Sequence, residues 1–308
     1  MDIDQIISDF LSESLLTGQK PLLVVLGGTA SGKTALSVEL AKKFNGEIIS
    51  TDSRQVYRYM DIATAKIKPQ ETQGVPHYMI DIVNPDEEFT LADFVKKAKM
   101  HIEDILRRGK LPILAGGTGL YIRAICENYA IPRIPPNNEL RAQLQAEFEE
   151  KGAEYLYEKL KELDPEAAGK IHPNNYRYVI RALEIACTGQ KKADLKHEAQ
   201  YNVLKFGIEW DREKLYERID ARAANQIEEG LINETKTLLQ KGYDLSLPSM
   251  SSLGYPEMIK YINGEISLEE ALNILQQNTR NYAKRQLTWF RREPDVIWIS
   301  GEELAAKN

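Results

Sequence analysis

One junction constrains this chain more than any other feature. The apolar run Pro21–Leu26 passes into Gly27-Gly28-Thr29-Ala30-Ser31-Gly32-Lys33-Thr34, and a helical pattern carrying Leu36, Leu40 and Phe44 follows at once. Gly27, Gly32, Lys33 and Thr34 satisfy the spacing Gly-x-x-x-x-Gly-Lys-[Ser/Thr] of a phosphate-binding loop, with a strand before it and a helix after it. The glycines let backbone N–H groups curl around phosphate oxygens, the helix N-terminus adds positive potential, Lys33 brings a point charge, and the Thr34 hydroxyl is a ligand for Mg²⁺.

A strand feeding a helix in this way needs parallel neighbours. Glu47–Ser50, His77–Val83 and Leu111–Gly117 are further strand candidates, and Thr90–Arg108 is an amphipathic helix. The repetition predicts a parallel α/β sheet, whose chemistry belongs in the loops at the carboxyl ends of its strands. The proline-rich stretch Ile131–Arg141 interrupts the pattern, and a strand-free helical stretch runs on to about Lys192. We therefore expect a catalytic core of residues 1–131 and 200–308 with an inserted all-helical domain at 132–199. Tyr201–Trp210 is a short apolar run, and Asp295–Ser300 is a late strand placed to return to the sheet edge.

No apolar run approaches the roughly 20 residues of a membrane helix, and the acidic N-terminus is unlike a targeting peptide, so a cytoplasmic protein is expected. Two cysteines, Cys126 and Cys187, exclude a disulfide framework or a Cys-rich metal site, and their apolar neighbours predict that both are buried. The net charge of −6 argues against coating nucleic acid by bulk attraction. Yet Ala271–Arg292 holds Arg280, Lys284, Arg285, Arg291 and Arg292 and no acid, with Tyr282, Trp289 and Phe290 between them.

The loop alone does not say which phosphate it holds. Enzymes that act on a nucleotide γ-phosphate usually place a Mg²⁺-binding Asp after a hydrophobic strand, but Leu111–Gly117 ends in glycines. The acid falls instead at Asp52, with Ser53, Arg54 and Gln55 beside it: a carboxylate, a hydroxyl, a cation and an amide at one strand end. Such a group suits binding a base and taking its proton; a turn or helix cap is the plainer role for Asp52. Gly116–Tyr121 is a second glycine-rich turn, in which Thr118 either caps a helix or aims its hydroxyl at a ligand. Arg222 is a third phosphate contact or an ordinary solvated helix residue.

Seven segments in order make the chain resemble the tRNA dimethylallyltransferases, also called tRNA isopentenyltransferases: "GGTASGKT", "STDSRQVYRYMDIATAK", "GVPHYMIDIV", "GGTGLYI", "IHPNNYRYVIRALE", Gly254-Tyr255 and "NYAKRQLTWFRR". The resemblance runs from about Leu22 to Trp298. It implies a P-loop NTPase-like parallel core and transfer of a dimethylallyl group from dimethylallyl diphosphate to N6 of adenosine 37 of tRNA, with Mg²⁺ as cofactor. By the same resemblance Gly27–Thr34 hold the diphosphate, Asp52 is the general base, Ser53 and Gln55 hold the base edge, and Arg54 belongs to the tRNA-binding set. Thr118 contacts substrate, Arg222 contacts phosphate, and Arg141, Arg177, Arg181, Arg280, Lys284 and Arg285 contact the anticodon arm. A monomer is expected.

Four positions depart from the family pattern. Gly28 stands for a proline, Tyr78 for a histidine, Tyr178 for an arginine and Pro256 for a basic residue. Of these, Tyr178 puts one anticodon-arm contact in doubt, with Arg177 as a shifted substitute. The alternatives are an adenylate isopentenyltransferase, a small-molecule kinase with this loop, or an RNA-binding protein with a vestigial loop.

Overall fold

The run at Pro21 forms an inner strand of a six-stranded sheet, in which every pairing is parallel. The computed structural model describes residues 2–129, 137–189 and 198–306. In chain order the strands are β1 (Pro21–Gly27), β2 (Gly46–Ser50), β3 (His77–Tyr78), β4 (Leu111–Gly116), β5 (Asn202–Glu209) and β6 (Val296–Ser300), and their spatial order is β3-β2-β4-β1-β5-β6. The early helices of this unit are α1 (Ile3–Thr17), α2 (Lys33–Lys43), α3 (Leu91–Arg107) and α4 (Gly119–Cys126). Leu22 to Leu26 of β1 have no exposed surface, as expected where both faces of a parallel sheet are covered. Each such side chain contributes about 1.5–3 kcal/mol relative to exposure.

Register sets the site. Leu26 of β1 pairs with Gly116 of β4, Ala115 pairs with Ser50 of β2, and Gly27 pairs with Ile208 of β5. The carboxyl ends of β2, β4 and β1 therefore lie side by side, and the turns that follow them open on one edge.

Two strand expectations need correction. His77–Val83 is extended for only two residues, because Met79 (φ 67°) and Asp81 (φ 56°) leave the β region; Val83 returns only as an isolated bridge to Tyr57. The run at Tyr201, read merely as apolar, forms β5 and pairs with β1 over seven positions. Val296–Ser300 does sit at the sheet edge, beside β5. The helix expected near Thr90 is α3, whose start is fixed by a capping box between Thr90 and Asp93.

The chain divides into two compact units, Met1–Cys126 with Ala199–Asn308, and Glu127–Glu198. Residues 131 and 132, where the sequence places a boundary, lie outside the described residues. The second unit consists of α5 (Asn138–Leu163), which bends at Gly152, α6 (Pro165–Ala168) and α7 (Tyr176–Ala186), around Leu144, Leu156, Leu160, Val179 and Leu183. The first unit continues through α8 (Arg212–Glu228), α9 (Leu231–Gln240), α10 (Tyr255–Ile262), α11 (Leu268–Phe290) and α12 (Gly301–Ala305). Tyr255, Met258, Leu231 and Leu275 from these helices form a further core with Val56 and Met60. Cys126 is buried as expected, but Cys187 is exposed, because it caps the C-terminus of α7 instead of lying on its apolar face. Among the described residues no helix is long and apolar enough to cross a membrane.

Candidate active site

The loop after β1 turns through backbone angles that favour glycine, as a wrapped phosphate loop should. Gly27 has φ +154° and Gly32 φ +95°, and a Cβ on Gly27 would lie 2.9 Å from Ser31 Oγ and 3.0 Å from Ile208 O. Gly32 caps α2 without a side-chain hydrogen bond, so the first amides of that helix have no intrahelical acceptor and face an open cavity. Lys33 crosses the loop and donates from Nζ to Gly28 O at 2.6 Å. The outside of the loop is braced: Trp210 Nε1 donates to Ser31 O (2.9 Å), Arg218 Nε donates to Ala30 O (2.9 Å), and Thr29 N donates to Gln286 Oε1 (2.8 Å).

Lys33, Thr34, Asp52, Ser53 and Arg222 line a cavity of about 360 Å³. A wider cleft of about 1460 Å³ adjoins it and shares Lys33, Thr34, Ala65, Arg222 and Gln226 with it. Burial of the ammonium pushes Lys33 down to about 8 from 10.5; Arg222 adds to the depression and Asp52 opposes it. Burial likewise lowers Arg222, with Asp52 pulling the other way. Two cations are thus held together beside one carboxylate, an arrangement that a polyanion would relieve. Tyr282, on the same cavity, is pushed up to about 12 by burial, so it is a neutral phenol at physiological pH.

Asp52 lies in the turn after β2, where its Oδ1 accepts the Arg54 amide at 2.8 Å, leaving Oδ2 for a ligand. Its neighbours are more committed to the protein than the sequence suggested. Gln55 Oε1 accepts from Ser50 Oγ (2.9 Å) while its Nε2 donates to Thr64 O and Ala65 O. Arg54 donates to Pro248 O (2.6 Å) and Ser251 Oγ (3.2 Å). Both line the cavity as fixed walls. Thr118 stands behind that wall: its Oγ1 accepts the Ser53 amide at 3.1 Å, so it shapes the turn that carries Asp52. Arg222, which has the ambiguous sequence reading, faces both cavities.

The glycines of the second turn serve close packing. A Cβ on Gly117 would lie 2.1 Å from Gln286 Nε2, and one on Gly119 2.3 Å from the Trp289 ring. Sequence reasoning missed Gln286. The available signal was a glutamine on the same α11 face as Ala283 and Phe290, a polar residue in an apolar stripe.

The cations expected to meet RNA do not share one environment. Lys284 and Arg285 line a surface groove of about 480 Å³ with Arg123, Arg292 and Trp289, and Arg285 lies 5.7 Å from the Tyr282 ring centre. Arg280 instead turns to α8, with Nη1 2.6 and 2.7 Å from the two Asp220 oxygens. In the helical unit, Arg141 and Arg181 both bind buried Glu184, at 3.0 and 2.5 Å. Burial drives the Glu184 carboxyl upward, but hydrogen bonds from Arg181, the Asn137 amide and Arg141 leave it below its usual value. Arg177 lies against Tyr176. Of the four departures, Tyr78 stacks on His101 and donates to Glu47 (2.8 Å), and Pro256 occupies the first turn of α10, where no N–H is needed. A Cβ at Gly28 would meet Leu287 and Ala283 only at ordinary contact distance, so a larger residue has room there, and Tyr178 is exposed.

Residues 55–293 match the sequence model of the family described as IPP transferase. The chain belongs to that family. The matched stretch begins beyond both the phosphate loop and Asp52. The chain is 53% identical over 287 residues to a tRNA dimethylallyltransferase from Alkaliphilus oremlandii, covering 92% of each, and 50% identical over 288 residues to one from Acetivibrio thermocellus, again covering 92% of each. Among solved structures it is similar to the full-length tRNA isopentenylpyrophosphate transferase of Bacillus halodurans (46% identity, TM-score 0.69, covering 92% of this chain and 90% of that one). It is also similar to a eukaryotic dimethylallyltransferase acting on tRNA (31% identity, TM-score 0.79, 93% and 75% covered).

Proposed function

We propose that this IPP transferase family member moves a dimethylallyl group from dimethylallyl diphosphate to N6 of adenosine 37 of tRNA and releases diphosphate. The observation that carries the reading is the meeting of Lys33, Thr34 and Arg222 with Asp52 around one cavity. One side of it suits a leaving diphosphate and the other an adenine amine.

In that reading the Gly27–Thr34 loop and Lys33 take the diphosphate, and Arg222 balances charge that grows on the bridging oxygen as the allylic C–O bond breaks. The N6 lone pair forms the new C–N bond, and the free oxygen of Asp52 takes the N6 proton. Arg54 and Gln55 keep the pocket wall fixed, so the base meets a preorganised site. The adenine leaves the anticodon-loop stack to enter, at little cost in a loop. Lys284 and Arg285, in a groove with Trp289, suit RNA backbone and an unstacked base.

Mg²⁺ fits the residues present. Among the described residues no cluster of three or more His, Cys, Asp or Glu could cage a metal, and the exposed Thr34 hydroxyl on the cavity would be a protein ligand for the ion. That matches an ion held mainly by substrate oxygens and water. When bound it neutralises diphosphate charge. The helical unit grips the anticodon arm in this reading, in the cytoplasm.

The test is incubation with Mg²⁺, labelled dimethylallyl diphosphate and an unmodified anticodon stem-loop, with AMP and ATP as parallel acceptors. Label in the stem-loop alone is expected. Label in the free nucleotides would make the chain an adenylate isopentenyltransferase, and ATP consumption without label would make it a kinase.

A further inference from the structure

We propose that Gln286 is a positioning residue that fixes the distance between the diphosphate and the acceptor base; the inference rests on the transferase reading above. Gln286 is 6% exposed, and its amide bonds backbone atoms in the turns after two different strands, β1 and β4. Oε1 accepts the Thr29 amide of the phosphate loop (2.8 Å), and Nε2 donates to Gly117 O (2.9 Å) in the turn after β4. The next residue, Thr118, accepts the Ser53 amide (3.1 Å) beside Asp52. A continuous series therefore runs from the phosphate loop through Gln286, Gly117 and Thr118 to the turn that carries the proposed base.

Three features set this contact apart from ordinary helix packing. The chain leaves no room for anything else: Gly117 is the residue whose side chain would collide with Gln286. An amide is the side chain that supplies an acceptor and a donor at once at this reach, so neither carboxylate nor thioether repeats it. Thr29 N is committed to Gln286 rather than to a ligand, which ties the loop down and leaves the amides at the start of α2, without intrahelical acceptors, for the diphosphate. Gln286 also adjoins Arg285, which lines both the cavity and the basic groove, so a shift of α11 on its RNA face is carried to both turns. Displacement of a reacting pair by about 1 Å costs on the order of 100-fold in rate.

The test compares Gln286→Met, which keeps length and loses both hydrogen bonds, and Gln286→Glu, which keeps the acceptor and loses the donor, with the unaltered chain. Readouts are kcat and KM for dimethylallyl diphosphate and stem-loop, stem-loop Kd, and the melting temperature. Expected are kcat losses of roughly 10- to 100-fold in both variants, stem-loop Kd within about threefold, and a smaller rise in KM than fall in kcat. A Gln286→Asn variant that still folds covers the case in which the others do not; it places the amide one methylene short and should show the same kcat loss. Lower melting temperature with unchanged kcat per folded molecule would overturn the positioning role and reduce Gln286 to packing. An inactive unaltered chain would instead overturn the transferase reading itself.

Discussion

The depressed Lys33 ammonium makes diphosphate affinity depend on pH in a window the structure defines. Lys33 titrates at about 8 in the unliganded fold against 10.5 ordinarily, because its ammonium is enclosed and Arg222 stands near. An ammonium–phosphate contact is worth ~2 kcal/mol, roughly 30-fold in affinity, while Lys33 is protonated. The same 30-fold requires the bound ligand to raise the pKa to roughly 9.5. We therefore expect the ratio of diphosphate affinities, unaltered chain over Lys33→Met, to be ~30 below pH 7 and to fall toward one by about pH 9.5. Isothermal calorimetry measures both proteins, and dividing by the variant cancels the ligand's own titration. Stability moves the opposite way. Between about pH 8 and 10.5 the unfolded chain binds more protons than the unliganded fold, so the cost of the buried charge is complete below pH 8 and is relieved as pH rises. The full gap corresponds to ~3 kcal/mol; part of Lys33 is reachable by water, which reduces it to ~2 kcal/mol. Denaturant midpoints should rise with pH across that window in the unaltered chain relative to Lys33→Met. An affinity ratio that stays constant from pH 7 to 9.5 would refute the argument.

Four further outcomes follow from the geometry. Asp52→Asn should reduce transfer by at least about 1000-fold, at the upper part of the range for general acid–base catalysis, while stem-loop affinity measured by filter binding changes by less than about threefold; near-normal turnover would remove Asp52 from the base role. Lys284→Ala with Arg285→Ala should lower the slope of log affinity against log salt by about 1 to 2, and an unchanged slope would make that groove ordinary surface. Arg280→Ala should leave that slope unaltered and cost ~1 kcal/mol of stability, seen as a lower denaturant midpoint, because its partner is Asp220. Glu184→Leu should destabilise the chain by ~2–4 kcal/mol in thermal melting by leaving two arginines without their shared carboxylate.

Strands β1 and β4 were legible because they are short apolar runs that end in glycines, and the phosphate loop was legible because its spacing is set by backbone geometry. Cross-sheet partners were not. Nothing in Tyr201–Trp210 says that it lies against β1, since register between distant strands is decided by packing. The stretch after Tyr78 reads as strand by composition, but positive φ at Met79 and Asp81 overrides that preference. In the site, Lys33, Thr34 and Asp52 were found by local pattern. Arg222 could be placed only by family resemblance, and Gln286 was missed, because each works across a tertiary gap that sequence spacing does not encode. The same limit applied to the arginines: sequence gives a cation, and only the fold shows that Arg280 faces Asp220 and Arg141 faces Glu184.

The hydrogen bond from Thr29 to Gln286 joins residues 257 positions apart. During synthesis at about 5–20 residues per second, the phosphate loop emerges roughly 13–50 s before the glutamine that braces it. A nascent chain therefore carries a recognisable loop long before it has an aligned site. Reactive diphosphate meets a complete pocket only after synthesis has passed Gln286.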